Sequence, residues 1–275
     1  MAIQLIDRLD LYQDNIAIID SNGMHTYFKL KLKAIDAAFE IIKNSGSNHN
    51  CCICFMLPSS FEYVVTMYAI WMSRNIAVPV CTTHPAPEIQ YIVNDTQCRI
   101  FIADKKFEKV LTDVVFQDCK IIWIDDLMHA ELGDESLLPA ISNDSYALIV
   151  YTSGTTGHPK GVVHTHVSLR AQLQSLSTAW QWTPDDFILN VLPMHHIHGI
   201  VNILLSSLWN YATCELHEKF DQQLTWKWLM QNEIAEKSPT LFMAVPTVYH
   251  KLIQYYQTCN DEIKTAIHES CKRLR

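Results

Sequence analysis

Tyr151-Thr-Ser-Gly-Thr-Thr-Gly-His-Pro-Lys-Gly161 is the stretch that decides how the chain is read. The ten positions after Tyr151 hold four hydroxyl side chains, three glycines and one lysine. The whole chain has only seven glycines, so three in this loop is a concentration that composition does not predict. Upstream, Tyr146-Ala-Leu-Ile-Val-Tyr151 is a short apolar run with β-branched and aromatic residues, which predicts a buried strand. Downstream, Val163, Val167, Leu169, Leu173 and Leu176 recur at helical spacing and predict a helix from Val162 to Trp180. The expected order is strand, glycine-rich loop, helix.

That order suits an anion. Glycines let backbone N–H groups approach closely, and the first turn of a helix offers unpaired N–H groups with partial positive charge. Thr152, Ser153, Thr155 and Thr156 add hydroxyl donors, Gly154 and Gly157 free the backbone, and Lys160 brings an ammonium. The ligand this donor set fits is a polyphosphate. A Walker A loop is excluded, because counting from Gly154 places Pro159 where the second glycine belongs. The bland alternative is a polar turn that caps a helix.

Thr152-Ser-Gly-Thr-Thr-Gly-x-Pro-Lys-Gly161 resembles the phosphate-binding signature of the adenylate-forming superfamily, which includes acyl-CoA synthetases, luciferases and peptide-synthetase adenylation domains. The resemblance implies two steps. A carboxylate attacks the α-phosphate of MgATP, releasing pyrophosphate and leaving an acyl-adenylate. A thiol, usually coenzyme A, then attacks the acyl carbon. The implied cofactors are thus ATP, Mg2+ and coenzyme A.

A second stretch, Pro193-Met-His-His-Ile-His-Gly199, places three histidines within four positions. Imidazole is a common zinc ligand, yet no distant Cys, Asp or Glu motif completes a shell around His195, His196 and His198. A His-rich surface loop is the other reading the residues leave open. Leu192-Pro-x-x-His196-x-x-Gly199 is similar to the superfamily's second core motif, whose histidine sits beside the carboxylate substrate. The resemblance assigns that catalytic position to His196, with His195 and His198 as its neighbours.

The pattern of residues 240–257 extends the likeness. Val245-Pro246-Thr247 is similar to the pattern at the wall of the acyl pocket. Together with Met194-His-His-Ile-His-Gly-Ile-Val-Asn202, Phe242-Met-Ala-Val-Pro-Thr-Val-Tyr249-His-Lys251 looks most like malonyl-CoA synthetases. Such enzymes adenylate one carboxylate of a short diacid and must hold the other. A buried carboxylate requires a cation or several donors, and Lys251 is the candidate cation. Its alternative is an ordinary solvated lysine on a helix.

The remaining sequence sets the frame. Short apolar runs alternate with helical patterns: Cys51–Leu57, Ala77–Val80, Arg99–Ala103 and Lys120–Ile124 as strands, with helices over Phe61–Met72, Pro87–Asn94 and Lys105–Val115. Alternation of this kind predicts α/β architecture, with βαβ units and largely parallel sheets flanked by helices. Asp20-Ser-Asn-Gly23 predicts a hairpin turn between two earlier runs. Further on, Phe187–Leu192, Ala212–Glu215 and Thr240–Ala244 are expected strands, and Ile200–Trp209, Asp221–Asn232, Pro246–Gln257 and Asn260–Arg273 expected helices. Residues 1–140 are expected to form a first βαβ subdomain, and residues 141–275 the phosphate loop and acyl-pocket part.

The net charge of −8 gives no reason to expect nucleic acid, and no run approaches a membrane span. The first ten residues lack a basic n-region, and the nine scattered cysteines, three of them in Cys51-Cys-Ile-Cys54, are expected to be reduced; both point to the cytoplasm. The chain ends at Arg275, whereas family members continue. Neither Tyr-Gly-x-Thr-Glu nor Thr-Gly-Asp occurs, so the chain is expected to be a truncated N-terminal domain of an adenylate-forming enzyme, without the mobile C-terminal domain, which would lie in cis or in trans. On that expectation the chain alone does not complete acyl-CoA formation. The competing readings are a non-catalytic remnant that binds a nucleotide or a partner, and a phosphotransferase with an unusual loop.

Overall fold

The computed structural model describes residues 6–45, 49–152, 157–230 and 238–275. Within these residues a 3-10 turn (Asp7–Asp10) precedes the predicted hairpin, β1 (Ile16–Asp20) and β2 (Gly23–Thr26), and the chain then enters α1 (Tyr27–Ser45). Alternation follows: β3 (Cys52–Met56), α2 (Phe61–Met72), β4 (Ile76–Pro79), α3 (Ala86–Asp95), β5 (Ile100–Ala103), the short α4 (Glu108–Leu111), β6 (Lys120–Trp123) and α5 (Ile124–Met128). Next come β7 (Tyr146–Thr152), β8 (Lys160–Thr165), α6 (His166–Ala179) and β9 (Phe187–Asn190). A π-helix over His198–Leu205 runs into α7 (Ser206–Trp209), and β10 (Thr213–Leu216), α8 (Gln222–Met230), β11 (Leu241–Phe242), α9 (Pro246–Thr258) and α10 (Asp261–Cys271) complete the chain.

Two sheets result. One has the order β6-β5-β3-β4-β7-β8 and is parallel except for the β7–β8 pair. The other has the order β11-β9-β10-β1-β2 and is parallel except for β1–β2. Sheet membership is interleaved. Residues 16–26 pair with residues 187–242, while everything from 52 to 165 builds the other sheet.

Burial explains why these strands read as continuous apolar runs. In β3, Ile53 and Phe55 face one core while Cys54 and Met56 face another, and all four are fully buried. A parallel sheet covered on both faces demands apolar residues at every position. The cysteines of this strand fill it as small hydrophobes. Between the sheets lies α2, started by Ser60, whose side chain accepts from Tyr63 N. Apart from Glu62, every residue of α2 is buried, the mark of a helix surrounded by protein. The larger core joins α2 to Ile18 and Leu189 of one sheet and Ile102 and Leu148 of the other.

Three expectations need correction. The helix predicted directly after the phosphate loop begins later, because residues 160–165 form β8, antiparallel to β7. The β-branched Val162 and Val163 sit half exposed on this hairpin, and the helix starts at His166 behind a Thr165–Ser168 capping box. The N-terminus of α6 is therefore separated from the threonine- and glycine-rich stretch by β8, contrary to the anion argument. The helix expected over Lys105–Val115 is a 3-10 turn followed by the four residues of α4. The helix expected from Ile200 starts at His198, with π geometry.

Candidate functional site

The carboxyl ends of parallel strands from both sheets converge on one cleft of about 870 Å3. Leu57, Pro58 and Ser59 enter it after β3, Cys81 to Thr83 after β4, and Lys106 after β5. From the second sheet come Val191 to His195 after β9, Glu218 to Phe220 after β10, and Val245, Thr247, Val248 and Lys251 around the start of α9. Ligands of open α/β sheets bind at this edge, where chain turns replace strand pairing and expose polar groups. Lys106 Nζ donates to Glu218 Oε1 at 3.1 Å, tying the two sheet edges across the cleft.

The histidine motif is held by a rigid loop. Asn190, buried at the end of β9, accepts from Leu192 N at 3.0 Å and donates to Gly199 O at 3.2 Å. The buried Tyr63 hydroxyl of α2 donates to Met194 O at 2.5 Å. Gly199 is required by contact: a Cβ there would lie 2.7 Å from Pro193 O and 3.3 Å from Leu192 O. The loop's histidines are placed differently from one another. His195 lines the cleft; His196 and His198 are not among its lining residues, although the His196 ring centroid lies 4.1 Å from that of His195. Partial burial, reinforced by neighbouring His195, lowers the His196 pKa, and burial alone lowers that of His198. Both therefore favour the neutral imidazole, able to accept as well as donate. Among the described residues no group of three or more His, Cys, Asp or Glu side chains could hold a metal.

Lys251 projects from α9 into the cleft wall, exposed, and no ion pair is recorded for it among the described residues.

The threonine- and glycine-rich stretch follows the carboxyl end of β7, on the same edge of the six-stranded sheet. Thr152 is exposed there, and its Oγ1 is 3.5 Å from Lys160 O across the hairpin. Ser153, Gly154, Thr155 and Thr156 lie outside the described residues. Gly157 has φ +131°, a conformation only glycine adopts freely, with open space around it. The far side is anchored by Tyr91 of α3, which stacks on His158 at 5.0 Å and donates to Pro159 O at 3.0 Å. Lys160 opens β8 with its side chain exposed.

Sequence reasoning missed one part of this cleft. Cys81 and His84 lie three residues apart just after β4, with the Cys81 sulfur 3.1 Å from Thr83 Oγ1. A Cys-x-x-His string at the carboxyl end of a parallel strand was the available signal.

The AMP-binding enzyme family matches this chain over residues 7–274. The mitochondrial malonate–CoA ligase of Xenopus laevis is 34% identical over 287 residues, covering 99% of this chain and 49% of its own length. Its human counterpart is 35% identical, covering 89% of this chain and 44% of its own. The chain thus spans about half the length of the curated relatives it matches. Among solved structures, ATP-bound MatB from Rhodopseudomonas palustris superposes with a TM-score of 0.84 at 23% identity, over all of this chain and 54% of that one, a likeness of fold. With the family match running over nearly the whole chain, the chain belongs to the AMP-binding enzyme family.

Proposed function

We propose that this chain supplies the phosphate-gripping and acid-holding part of an ATP-dependent acid–thiol ligase whose acid is a short dicarboxylate resembling malonate. The observation that carries the reading is the exposed Lys251 ammonium in the wall of a cleft that His195 also lines. The names of the relatives, malonate–CoA ligases, support it. One carboxylate of the acid lies beside His195 and His196, toward the hairpin. Lys251 pairs with the other. Thr152, Ser153, Thr155 and Thr156, with Gly154, Gly157 and Lys160, grip the β- and γ-phosphates of ATP. Mg2+ arrives with those phosphates, as is usual for an ion that keeps its waters and few protein ligands. Bound there, it would neutralise charge on the departing pyrophosphate. Coenzyme A then takes the acyl group.

The polar groups of this cleft divide the work. Lys160 offsets phosphate charge. His196, held neutral, donates to the reacting carboxylate through its ring N–H. The apolar lining, Val80, Val191, Leu192 and Val248, keeps the electrostatic interactions strong by excluding water. A cytoplasmic location is part of the proposal, supported by nine free thiols. The relatives carry mitochondrial in their names, so fractionation of cells decides the compartment. Among the described residues no helix is long and apolar enough to cross a membrane.

The test is Lys251→Met in a protein that contains these residues and catalyses malonate-dependent exchange of pyrophosphate into ATP. Because Lys251 is exposed, the lost pair is worth about 0.2–1 kcal/mol, so malonate exchange should fall by up to roughly fivefold while acetate exchange holds. Unchanged preference between malonate and acetate would end the dicarboxylate reading. Binding of ATP with no exchange from any acid would favour the second reading, a nucleotide-binding remnant.

A further inference from the structure

The cleft carries a reactive group that acid activation does not use. After β4 the chain turns tightly, His84 N donating to Cys81 O at 3.2 Å. This brings His84 back over the Cys81 side chain. The thiol is 7% exposed and lines the cleft, so its open approach is from the cavity. His84 Nε2 is held by Glu88 Oε2 of α3 at 3.3 Å, while its Nδ1 is buried without a hydrogen-bond partner. From the other sheet, His195 reaches the same spot, its ring centroid 6.2 Å from that of His84. A cysteine flanked by two imidazoles, one of them backed by a carboxylate, is the arrangement that makes a thiolate nucleophile.

We propose that Cys81 is a modification site, a thiolate in the cleft wall that takes small disulfides. The sulfur attacks one sulfur of the disulfide, a protein–ligand S–S bond forms, the ligand's own S–S bond breaks, and the departing thiolate takes a proton from solvent. No other oxidant is needed, since the small disulfide is the oxidant. The mixed disulfide then occupies the acid side of the cleft. Charge balance fits. Burial pushes the thiol up, but interaction with His195, His84 and Thr83 outweighs it and brings Cys81 down to about 4. His84 is raised in turn, first by the neighbouring Cys81 side chain. The other charged or titratable groups nearby are Glu88 on α3, paired with His84, His196 beside His195, and Lys106, which lines the same cleft after β5.

The site is read on the protein itself and does not depend on the ligase reading. The native chain is treated with limiting iodoacetamide at pH 8 and pH 5.5, and the labelled cysteines are mapped by mass spectrometry. Exposed Cys271 serves as the ordinary thiol. The Cys81 rate should change less than about twofold between the two pH values, whereas that of Cys271 should fall roughly 300-fold with its thiolate fraction. At pH 5.5 Cys81 should lead by about tenfold, after its weaker intrinsic nucleophilicity is allowed for. His84→Asn should steepen the pH dependence at Cys81, and cystamine should form a mixed disulfide with the native chain that Cys81→Ser loses. Cys81 labelled only in urea, or slowing with pH in parallel with Cys271, would overturn the proposal.

Discussion

Gly199→Ala is the sharpest probe of the loop that carries the histidines. Its Cβ would stand 2.7 Å from Pro193 O, where ordinary contact begins near 3.4 Å, and 3.3 Å from Leu192 O. Both obstacles are backbone atoms, held by Asn190 and by the Tyr63 hydroxyl, so neither can rotate away. A deficit of this size in a packed interior costs about 1–3 kcal/mol. Restricting the unfolded chain returns roughly 0.4–1 kcal/mol. The net is a destabilisation of about 1–2 kcal/mol, or a fall in melting temperature of roughly 2–6 °C in a domain of this size. Scanning calorimetry of the two proteins side by side measures it. A variant that melts at or above the parent temperature would mean that the Pro193 turn yields, and the argument that glycine is required there would fail.

Three further outcomes are expected. His166, buried against Trp71, is held neutral with its pKa pushed down to about 4 by burial. Its contribution is therefore complete above the unfolded value of about 6.5 and falls as pH drops toward 4, by about 1.4 kcal/mol per unit. Urea midpoints at pH 7 and pH 4.5 should differ by roughly 2–3 kcal/mol more in the parent than in His166→Phe. Lys160→Ala should weaken MgATP binding roughly 10- to 150-fold, the loss of one charge-assisted contact of about 1.5–3 kcal/mol, as read by titration calorimetry. Lys106→Ala, removing a half-exposed pair with Glu218, should change stability by less than about 1 kcal/mol in a urea melt, so a larger loss would show the bridge to be structural.

The α/β class and most element positions were legible because burial on both faces leaves a simple trace, apolar runs of strand length between helical patterns. Phe61–Met72 coincides with α2 for this reason. Beyond the phosphate loop the trace is ambiguous. Val163, Val167, Leu169 and Leu173 keep helical spacing, so the hairpin strand β8 reads as the first turns of α6. The Thr165-x-x-Ser168 cap was the local sign of the true start, and β-branching at Val162 and Val163 was the sign of a strand. The π geometry over His198–Leu205 has no periodic signature in the sequence. In the site, residue types were visible in the two motifs, but their facing was not. Which histidine enters the cleft depends on the turn of a loop fixed by Asn190 and Tyr63, residues from two other elements. The Cys81–His84–His195 group joins both sheets, and a pairing across more than a hundred residues leaves no mark in either segment.

The pairing of β1 with β10 sets a schedule. Ile18 finds its register partner in Cys214, and most strands between them, β3 to β8, belong to the other sheet. At ribosomal rates of roughly 5–20 residues per second, the amino-terminal hairpin waits about 10–40 s for that partner to be synthesised. A two-stranded hairpin is marginal alone in water, so during the wait its buried trio Ala17, Ile18 and Ile19 is presented to whatever is near the nascent chain. Docking of the first residues made therefore comes only after about three quarters of the chain has been synthesised. A chain cut between Thr26 and Cys52 should consequently reassemble from its two pieces, the short one folding onto a finished edge at β10.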